Sequence, residues 1–398
     1  MKIGKWARLL LAALPLVAGC KGFWDAPSGS GGGGTTTTTL SSGNFYILDK
    51  ETTASQILGF SIVSGKLTAL SGSPYAATGV AYSIALGPAN SGYLYVSSTA
   101  GVYLYTINST TGALTQGAQV SQDTIATAIQ VDPGGKWLLE ALATGSLDAV
   151  PITSTGAFDN GGTRTEQQVA LAGIQVQQMA IAPNGAFVAV AMGSLGTQVF
   201  PFTSGAASNP IGGALTFGTA KNPYIVPVNT ASAGAAIAAS VDPQSRFLYV
   251  GETAAFPTST ASSGGLRIFS VAAPLAIAEL ATSPYASGGT GPHAIQPNAA
   301  GDFVYVASWQ GTSAGLITPF QVSSSGTTYT LTALTNTVAT GIEPAALAED
   351  DLSHFMLAVS SSGTPTFSAY IFDTTTVGKL DLTNTDSTAT SPIAVVAP

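Results

Sequence analysis

Residues 241–253 read Val-Asp-Pro-Gln-Ser-Arg-Phe-Leu-Tyr-Val-Gly-Glu-Thr (VDPQSRFLYVGET). A β-branched residue closes one extended segment, a Pro-containing polar turn follows, and Phe247 to Val250 open another. Proline pre-sets a turn and is excluded from central strands, whereas aromatic and β-branched residues favour the pleated state. The stretch is therefore a strand end, a turn and a strand start. The same pattern recurs at Leu86-Gly87-Pro88 before Tyr93-Leu94-Tyr95-Val96, and at Val131-Asp132-Pro133 before Trp137-Leu138-Leu139. It returns at Ile181-Ala182-Pro183 before Phe187-Val188-Ala189-Val190, and at Ile295-Gln296-Pro297 before Phe303-Val304-Tyr305-Val306. The spacings between these prolines are 45, 50, 60 and 54 residues.

Working outward, a sixth copy has Leu347-Ala348-Glu349 in the first position and Phe355-Met356-Leu357-Ala358-Val359 in the second. Each unit continues into a third strand, such as Gly101 to Tyr105 or Leu266 to Phe269, and then a fourth that returns toward the next unit. Four strands per unit, turns every 8 to 12 residues and no 3.6-residue period predict β-propeller blades. The two ends set the count. Phe45-Tyr46-Ile47-Leu48 resembles a second strand with only a tether before it, and Ser391 to Pro398 resembles a first strand with nothing after it. Pairing these two halves predicts an all-β, seven-bladed propeller of four-stranded blades over residues 44–398, closed by the C-terminal strand completing the N-terminal blade. Closure also hides two sheet edges. A solenoid β-helix is the competing architecture, but its repeats are shorter and would leave no complementary half-units.

Charge is scarce throughout. Of 398 residues 8% are charged and 45% hydrophobic, against roughly a quarter charged in an ordinary soluble domain. Twelve basic and 20 acidic side chains give a net charge of −8, which excludes nucleic acid as a partner. Near the N-terminus, Lys2, Lys5 and Arg8 precede an apolar run from Leu9 to Val17 that is too short to span a bilayer. Val17-Ala18-Gly19-Cys20 then resembles a bacterial lipobox, with Cys20, the 1 cysteine of the chain, as the lipidated residue. Residues 1–19 are thus expected to be a signal peptide, and 20–43 a lipidated, Gly- and Thr-rich tether with a root-mean-square span of roughly 25 Å. The mature protein is expected to be exported and anchored to a membrane through its acyl chains, the outer membrane in preference to the inner, because Lys21 stands where an inner-membrane retention signal has Asp. Losing three basic residues takes the mature charge to about −11.

The repeats quoted above, together with GPHAIQPNAAGDFVYVAS at 291–308, resemble the lactonase-type seven-bladed propellers. That family includes 6-phosphogluconolactonase-like proteins and is related to the YVTN-repeat surface propellers. The resemblance covers residues 44–398 and implies a polar site at the mouth of the central channel, formed by a Pro-Arg-His run and a Glu after a Tyr-Val strand. Here Gly291-Pro292-His293 keeps the His and lacks the Arg, and Glu252 matches the Glu. The blade that carries Glu252 begins Ala233-Gly234-Ala235-Ala236, without a Pro-Arg-His.

Propeller topology places Glu252, Arg267, His293, Trp309 and Glu343 on one face, and Arg246 and His354 on the other. Two functions follow as expectations. In the first, the protein is a monomeric binding or scaffolding module for an envelope protein or glycan, with Trp309, Glu343 and Tyr285, and also Tyr75, as binding surfaces. In the second it is a metal-independent lactone hydrolase, with Glu252 or His293 activating water and Arg267 stabilising the oxyanion. The simpler alternative is that Glu252 and Arg267 only pair with each other across a loop and His293 caps a strand. No cofactor or metal is expected: two separated histidines cannot build a zinc site, and Glu349-Asp350-Asp351, whose hard oxygens suit calcium, reads instead as a solvated turn. No G-x-S-x-G elbow is present to make a serine hydrolase.

Overall fold

The computed structural model describes residues 41–161, 164–230, 234–257, 262–273, 275–325 and 328–398. The expected signal peptide, Cys20 and all but the end of the tether lie outside these residues. The first strand, Ser41–Asp49, begins within the last positions assigned to the tether. The described residues contain strands and no helix.

Seven antiparallel sheets follow one another along the chain, each ordered from inner to outer strand. The second runs Ala81–Leu86, Tyr93–Ser98, Gly101–Ile107, Leu114–Ser121, and the third Ala126–Val131, Trp137–Leu142, Ser146–Pro151, Gln167–Ala170. The fifth, sixth and seventh begin with Ala235–Val241, Gly291–Pro297 and Pro344–Glu349. In the first sheet the inner place is taken by Pro392–Val396, which pairs Tyr46 with Val396, Ile47 with Val395 and Leu48 with Ala394. The chain is a seven-bladed β-propeller closed by strands from its two ends.

A single buried carboxylate clamps this closure. Asp49, fully buried, accepts hydrogen bonds from the Ser391 N–H at 2.7 Å, the Thr390 N–H at 3.1 Å and Gln56 Nε2 at 3.1 Å. The Lys50 N–H donates in turn to the Ser391 carbonyl at 2.9 Å.

The continuous apolar runs of the second strands are explained by burial on both faces. Seven core clusters lie one at each junction between neighbouring blades. Successive residues of one strand enter different clusters: Phe247 and Tyr249 pack toward the sixth blade, Leu248 and Val250 toward the fourth. A strand read this way needs no polar alternation.

In five of the blades the repeated turn has one geometry, and proline is not its defining part. In the turns headed by Asp132, Ala182, Asp242, Asn298 and Asp350, the residue three places on has positive φ: Gly135 66°, Gly185 66°, Ser245 57°, Gly301 70° and Ser353 55°. In each, the head N–H donates to the carbonyl five residues on, at 2.8–3.0 Å from Asp132 to Trp137 and from Asp242 to Phe247. An acidic or amide head also accepts from the N–H groups ahead of it, as Asp350 does from His354 and Phe355 and Asn298 from Asp302 and Phe303. The sixth blade therefore carries its proline two places earlier, and the seventh carries none, without loss of the turn.

The fourth blade departs locally from the four-stranded pattern. Its sheet has Gln178–Ile181, Phe187–Ala191 and Thr197–Pro201 only. Isolated bridges pair Phe202 with Ile211 and Thr197 with Ile225, so irregular chain satisfies the outer edge.

Candidate functional site

The inner strands of all seven blades surround a central cavity of about 560 Å³. Its lining includes Tyr82, Gln130, Gln178, Ser240, His293 and Gln296, with Gln177, Trp309 and Ser361 from the strand ends. No Asp, Glu, Lys or Arg is among the lining residues. Lys50 Nζ lies 4.5 Å from the centre of the ring of Tyr82, one of the lining residues.

Several of the polar side chains tie the ring together. Ser83 Oγ accepts from the Ile129 N–H at 3.3 Å, Gln130 Oε1 from the Ile181 N–H at 2.7 Å, and Gln178 Oε1 from the Ala239 N–H at 2.8 Å. Each rung joins the inner strand of one blade to the next. The Nε2 groups of Gln130 and Gln178 donate to no described residue, so the cavity wall offers amide donors.

His293 and Trp309 form a stacked pair, with ring centroids 3.8 Å apart and planes inclined by 11°. The pairing of Gly291 with Trp309 sets this contact, because it brings the end of the second strand beside the start of the inner one. Trp309 Nε1 donates to the Pro344 carbonyl at 3.1 Å, which fixes the indole. The His293 imidazole makes no hydrogen bond to another described residue, and burial lowers its pKa to about 4. It is neutral at pH 7, with nitrogen available to a ligand.

Glu252 and Arg267 meet each other but not this cavity. Arg267 Nη1 lies 2.7 Å from Glu252 Oε1, and Nη2 lies 2.6 Å from Glu279 Oε2. The Val226 carbonyl accepts a further bond from Nη1 at 2.8 Å, and the Val228 N–H donates to Glu252 Oε2 at 2.9 Å. Burial raises the Glu252 pKa against the opposing pull of Arg267. For Glu279, burial acts in the same raising direction, but the bonds from Arg267 prevail and lower it. Arg267 itself is raised: burial works against its charge and the two carboxylates outweigh that. Arg267 and Glu279, with Phe217, Tyr224, Ile225 and Phe269, line a separate pocket of about 370 Å³ at the junction of the fourth and fifth blades.

The remaining expected residues are dispersed. The Glu343 carbonyl accepts from the Ser361 N–H at 2.8 Å, beside the cavity but outside its lining. Tyr285 pairs with Leu266 on the outer edge of the fifth blade and packs edge-on against Phe320, 6.4 Å between centroids. Tyr75 likewise extends an outer edge, opposite Ile57. Arg246 and His354 sit in inner turns, where Arg246 binds Asp242 and the Gly301 carbonyl. At Glu349-Asp350-Asp351 the middle residue heads a turn. A different acidic group, Asp123, Asp148 and Glu166, brings three carboxylates within reach of one cation, and sequence reading passed over it.

The fold and these cavities define the class: a seven-bladed β-propeller with a central cavity whose lining carries no ionic side chain. Among solved structures the chain is similar to a candidate 6-phosphogluconolactonase from Bacteroides fragilis NCTC 9343, at TM-score 0.68 and 16% identity over 92% of this chain and 99% of that one. It is similar to another from Bacteroides uniformis ATCC 8492 at TM-score 0.66 and 16% identity, over 89% and 99%. A protein from Lactobacillus plantarum gives TM-score 0.65 and 17% identity, over 89% and 99%. At these identities the likeness is one of fold. No family model and no curated protein matches the sequence.

Proposed function

We propose that the protein is a binding module of the cell envelope whose central cavity takes a small, uncharged, hydroxyl-rich ligand of the sugar or polyol class. The observation that carries this reading is the cavity lining: amides, hydroxyls and a stacked His293–Trp309 pair, with no ionic side chain. Sugars bind on flat apolar rings edged by amide and hydroxyl groups, whereas a phosphate recruits Arg and Lys. In this reading the signal at residues 1–19 exports the chain and lipid on Cys20 holds it at the membrane, presenting the ligand to an envelope protein or glycan. Calorimetry of the Cys20→Ser chain against neutral sugars and their phosphorylated forms tests it. Binding of neutral members that Trp309→Ala weakens at least tenfold supports the reading; preference for phosphorylated members defeats it.

One observation favours a second reading, hydrolysis of a neutral sugar lactone. The His293 imidazole, without a partner among the described residues, stands in the cavity in the unprotonated form a general base needs, its basicity lowered by burial, and two structures of similar fold are named as candidate lactonases. Glu252 is already engaged by Arg267 and the Val228 N–H, which leaves His293 as the base. Lactone turnover by the wild type that His293→Ala abolishes, and Glu252→Gln does not, establishes this chemistry.

A further inference from the structure

At the junction of the second and third blades, acidic side chains gather without a cation. Asp123, Asp148 and Glu166 each offer one oxygen, all within 4.8 Å of one another. Glu140 stands opposite Asp148 in the strand pair, and both side chains are fully buried. Glu140 Oε1 and Asp148 Oδ1 meet no hydrogen-bond partner among the described residues. Their second oxygens are held in place: Ser121 Oγ donates to Glu140 Oε2 at 3.1 Å, and Gln168 Nε2 to Asp148 Oδ2 at 3.0 Å. Ser121 Oγ also accepts from the Asp123 N–H at 3.0 Å, which fixes the loop that carries the first carboxylate.

The fifth blade shows how this propeller otherwise treats such a place. Arg267 pairs with Val250 as Asp148 pairs with Glu140, and its guanidinium neutralises Glu252 and Glu279. In the third blade the equivalent residue is itself acidic. Among the described residues no Lys or Arg forms an ion pair with any of the four carboxylates. Arg164, two residues before Glu166, is occupied by Asp159 and the Ile152 carbonyl. Burial, with the charge of Asp123 next in weight, holds the Glu140 carboxyl well above the ordinary carboxylate range. A buried, unscreened group of like charges is unfavourable unless protons or a cation compensate it.

We propose that this cluster is a calcium site, with Asp123, Asp148 and Glu166 as ligands and Glu140 supplying a further oxygen. The donors are all hard oxygens, with no His or Cys that would select zinc or copper. Lying within 4.8 Å of one another, the oxygens are close enough for one cation to reach them through calcium–oxygen bonds of roughly 2.3–2.6 Å. Three or four carboxylates also exceed the one or two that a magnesium ion, retaining its water, accepts. The ion ties the loop leaving the second blade to the second and third strands of the third.

The test is calcium titration of the chelator-treated Cys20→Ser chain by calorimetry, with melting temperature recorded in parallel. One calcium per chain is expected, with Kd at or below about 10⁻³ M, together with a rise in melting temperature and at least tenfold weaker magnesium binding. Asp123→Asn and Glu166→Gln, which leave the buried core intact, each weaken calcium at least tenfold. Glu140→Gln raises the melting temperature of the calcium-free protein and shrinks the rise that calcium produces. Absence of heat and of any melting shift up to about 10 mM calcium overturns the proposal, as do Asp123 and Glu166 variants that bind like wild type. If Glu140→Gln stabilises a protein indifferent to calcium, the cluster is compensated by protons and the proposal is equally overturned.

Discussion

Replacing Asp49 by Ala removes the acceptor that holds residues 390 and 391 against the first blade. A hydrogen bond to a charged group contributes about 1.5–3 kcal/mol, and the cost of its loss rises when the donor stays buried. The Ser391 N–H, half-buried and 2.7 Å from the carboxylate, accounts for about 2 kcal/mol by this measure, while the exposed Thr390 finds water and accounts for about 1. Asp49→Ala should therefore destabilise the domain by about 3 kcal/mol, and Asp49→Asn, which keeps one acceptor, by about 2. For a domain of about 360 residues the unfolding entropy is roughly 0.75 kcal/mol/K, so the first change lowers Tm by about 4 °C. Differential scanning calorimetry reads that shift, and hydrogen exchange locates it. Amides of 392–396 should lose protection while those of the unaltered inner strand 291–297 keep theirs. A Tm within about 1 °C of wild type, with protection of 392–396 unchanged, would refute the clamp. Deleting residues 391–398 goes further. It strips Val395 from the core shared with the seventh blade and Ile393 and Val396 from that shared with the second, at least about 5 kcal/mol by area. That loss is comparable to the whole stability of a typical domain, so the truncated chain should fail to fold or aggregate.

Other perturbations probe the remaining elements. Arg267→Met leaves Glu252 buried beside a second carboxylate and should cost about 3–5 kcal/mol in urea unfolding; an unchanged midpoint would mean the three groups are not coupled. Tyr249 and Tyr95 occupy the same repeat position, yet the Tyr249 hydroxyl has no partner among the described residues and the Tyr95 hydroxyl donates to the Gly156 carbonyl at 2.7 Å. Tyr249→Phe should be neutral or stabilising and Tyr95→Phe destabilising by about 1 kcal/mol; equal effects in thermal melts would contradict the hydrogen-bond assignment. His293, with its pKa lowered to about 4, binds a proton more weakly when folded than the ordinary value of 6.5 allows in the unfolded chain. The stability it supports above pH 6.5 is lost as pH falls toward 4, about 2 kcal/mol by pH 5. Glu349, raised to about 7 by burial, works in the opposite sense, stabilising at low pH and losing that effect as pH rises from 4.5 to 7. Because Glu349 is common to both proteins, His293→Gln should be more stable relative to wild type at pH 5 than at pH 7.5. Equal differences at the two pH values in denaturant titrations would show that the imidazole is not depressed.

Much of the architecture was legible because it rests on local chemistry. Runs such as Phe247 to Val250 are apolar on both faces, and the unpaired half-units at 45–48 and 391–398 announced the closure. The proline that made the repeat visible turned out to be incidental to a turn built on a backbone bond from its head to the carbonyl five residues on and a left-handed residue three places on. The outer edge of the fourth blade was not legible, since residues 202–225 satisfy it through isolated bridges. For the candidate site, sequence order misleads because alternation sorts neighbours to different places. Glu252 lies on a second strand and turns toward the fourth blade, whereas His293 lies on an inner strand and lines the cavity, so the residues that the resemblance groups are separated and Glu252 lines neither pocket. Glu140 had a usable signal. It occupies the position held by Val96, Val190, Val250 and Val306, yet the apolar run Trp137-Leu138-Leu139 ends just before it and draws the eye away.

Closure by strands from opposite ends has a consequence for the order of events during biosynthesis. Asp49 and Thr390 are 341 residues apart in the chain. At roughly 5–20 residues per second, the first blade waits about 20–70 s between the synthesis of its first strand and of its last. Throughout that interval the hairpin of Ser41–Asp49 and Gln56–Val63 presents a bare inner edge to anything that can add a strand. A chaperone that guards nascent chains of this protein is therefore expected to stay longest on the segment that emerges first.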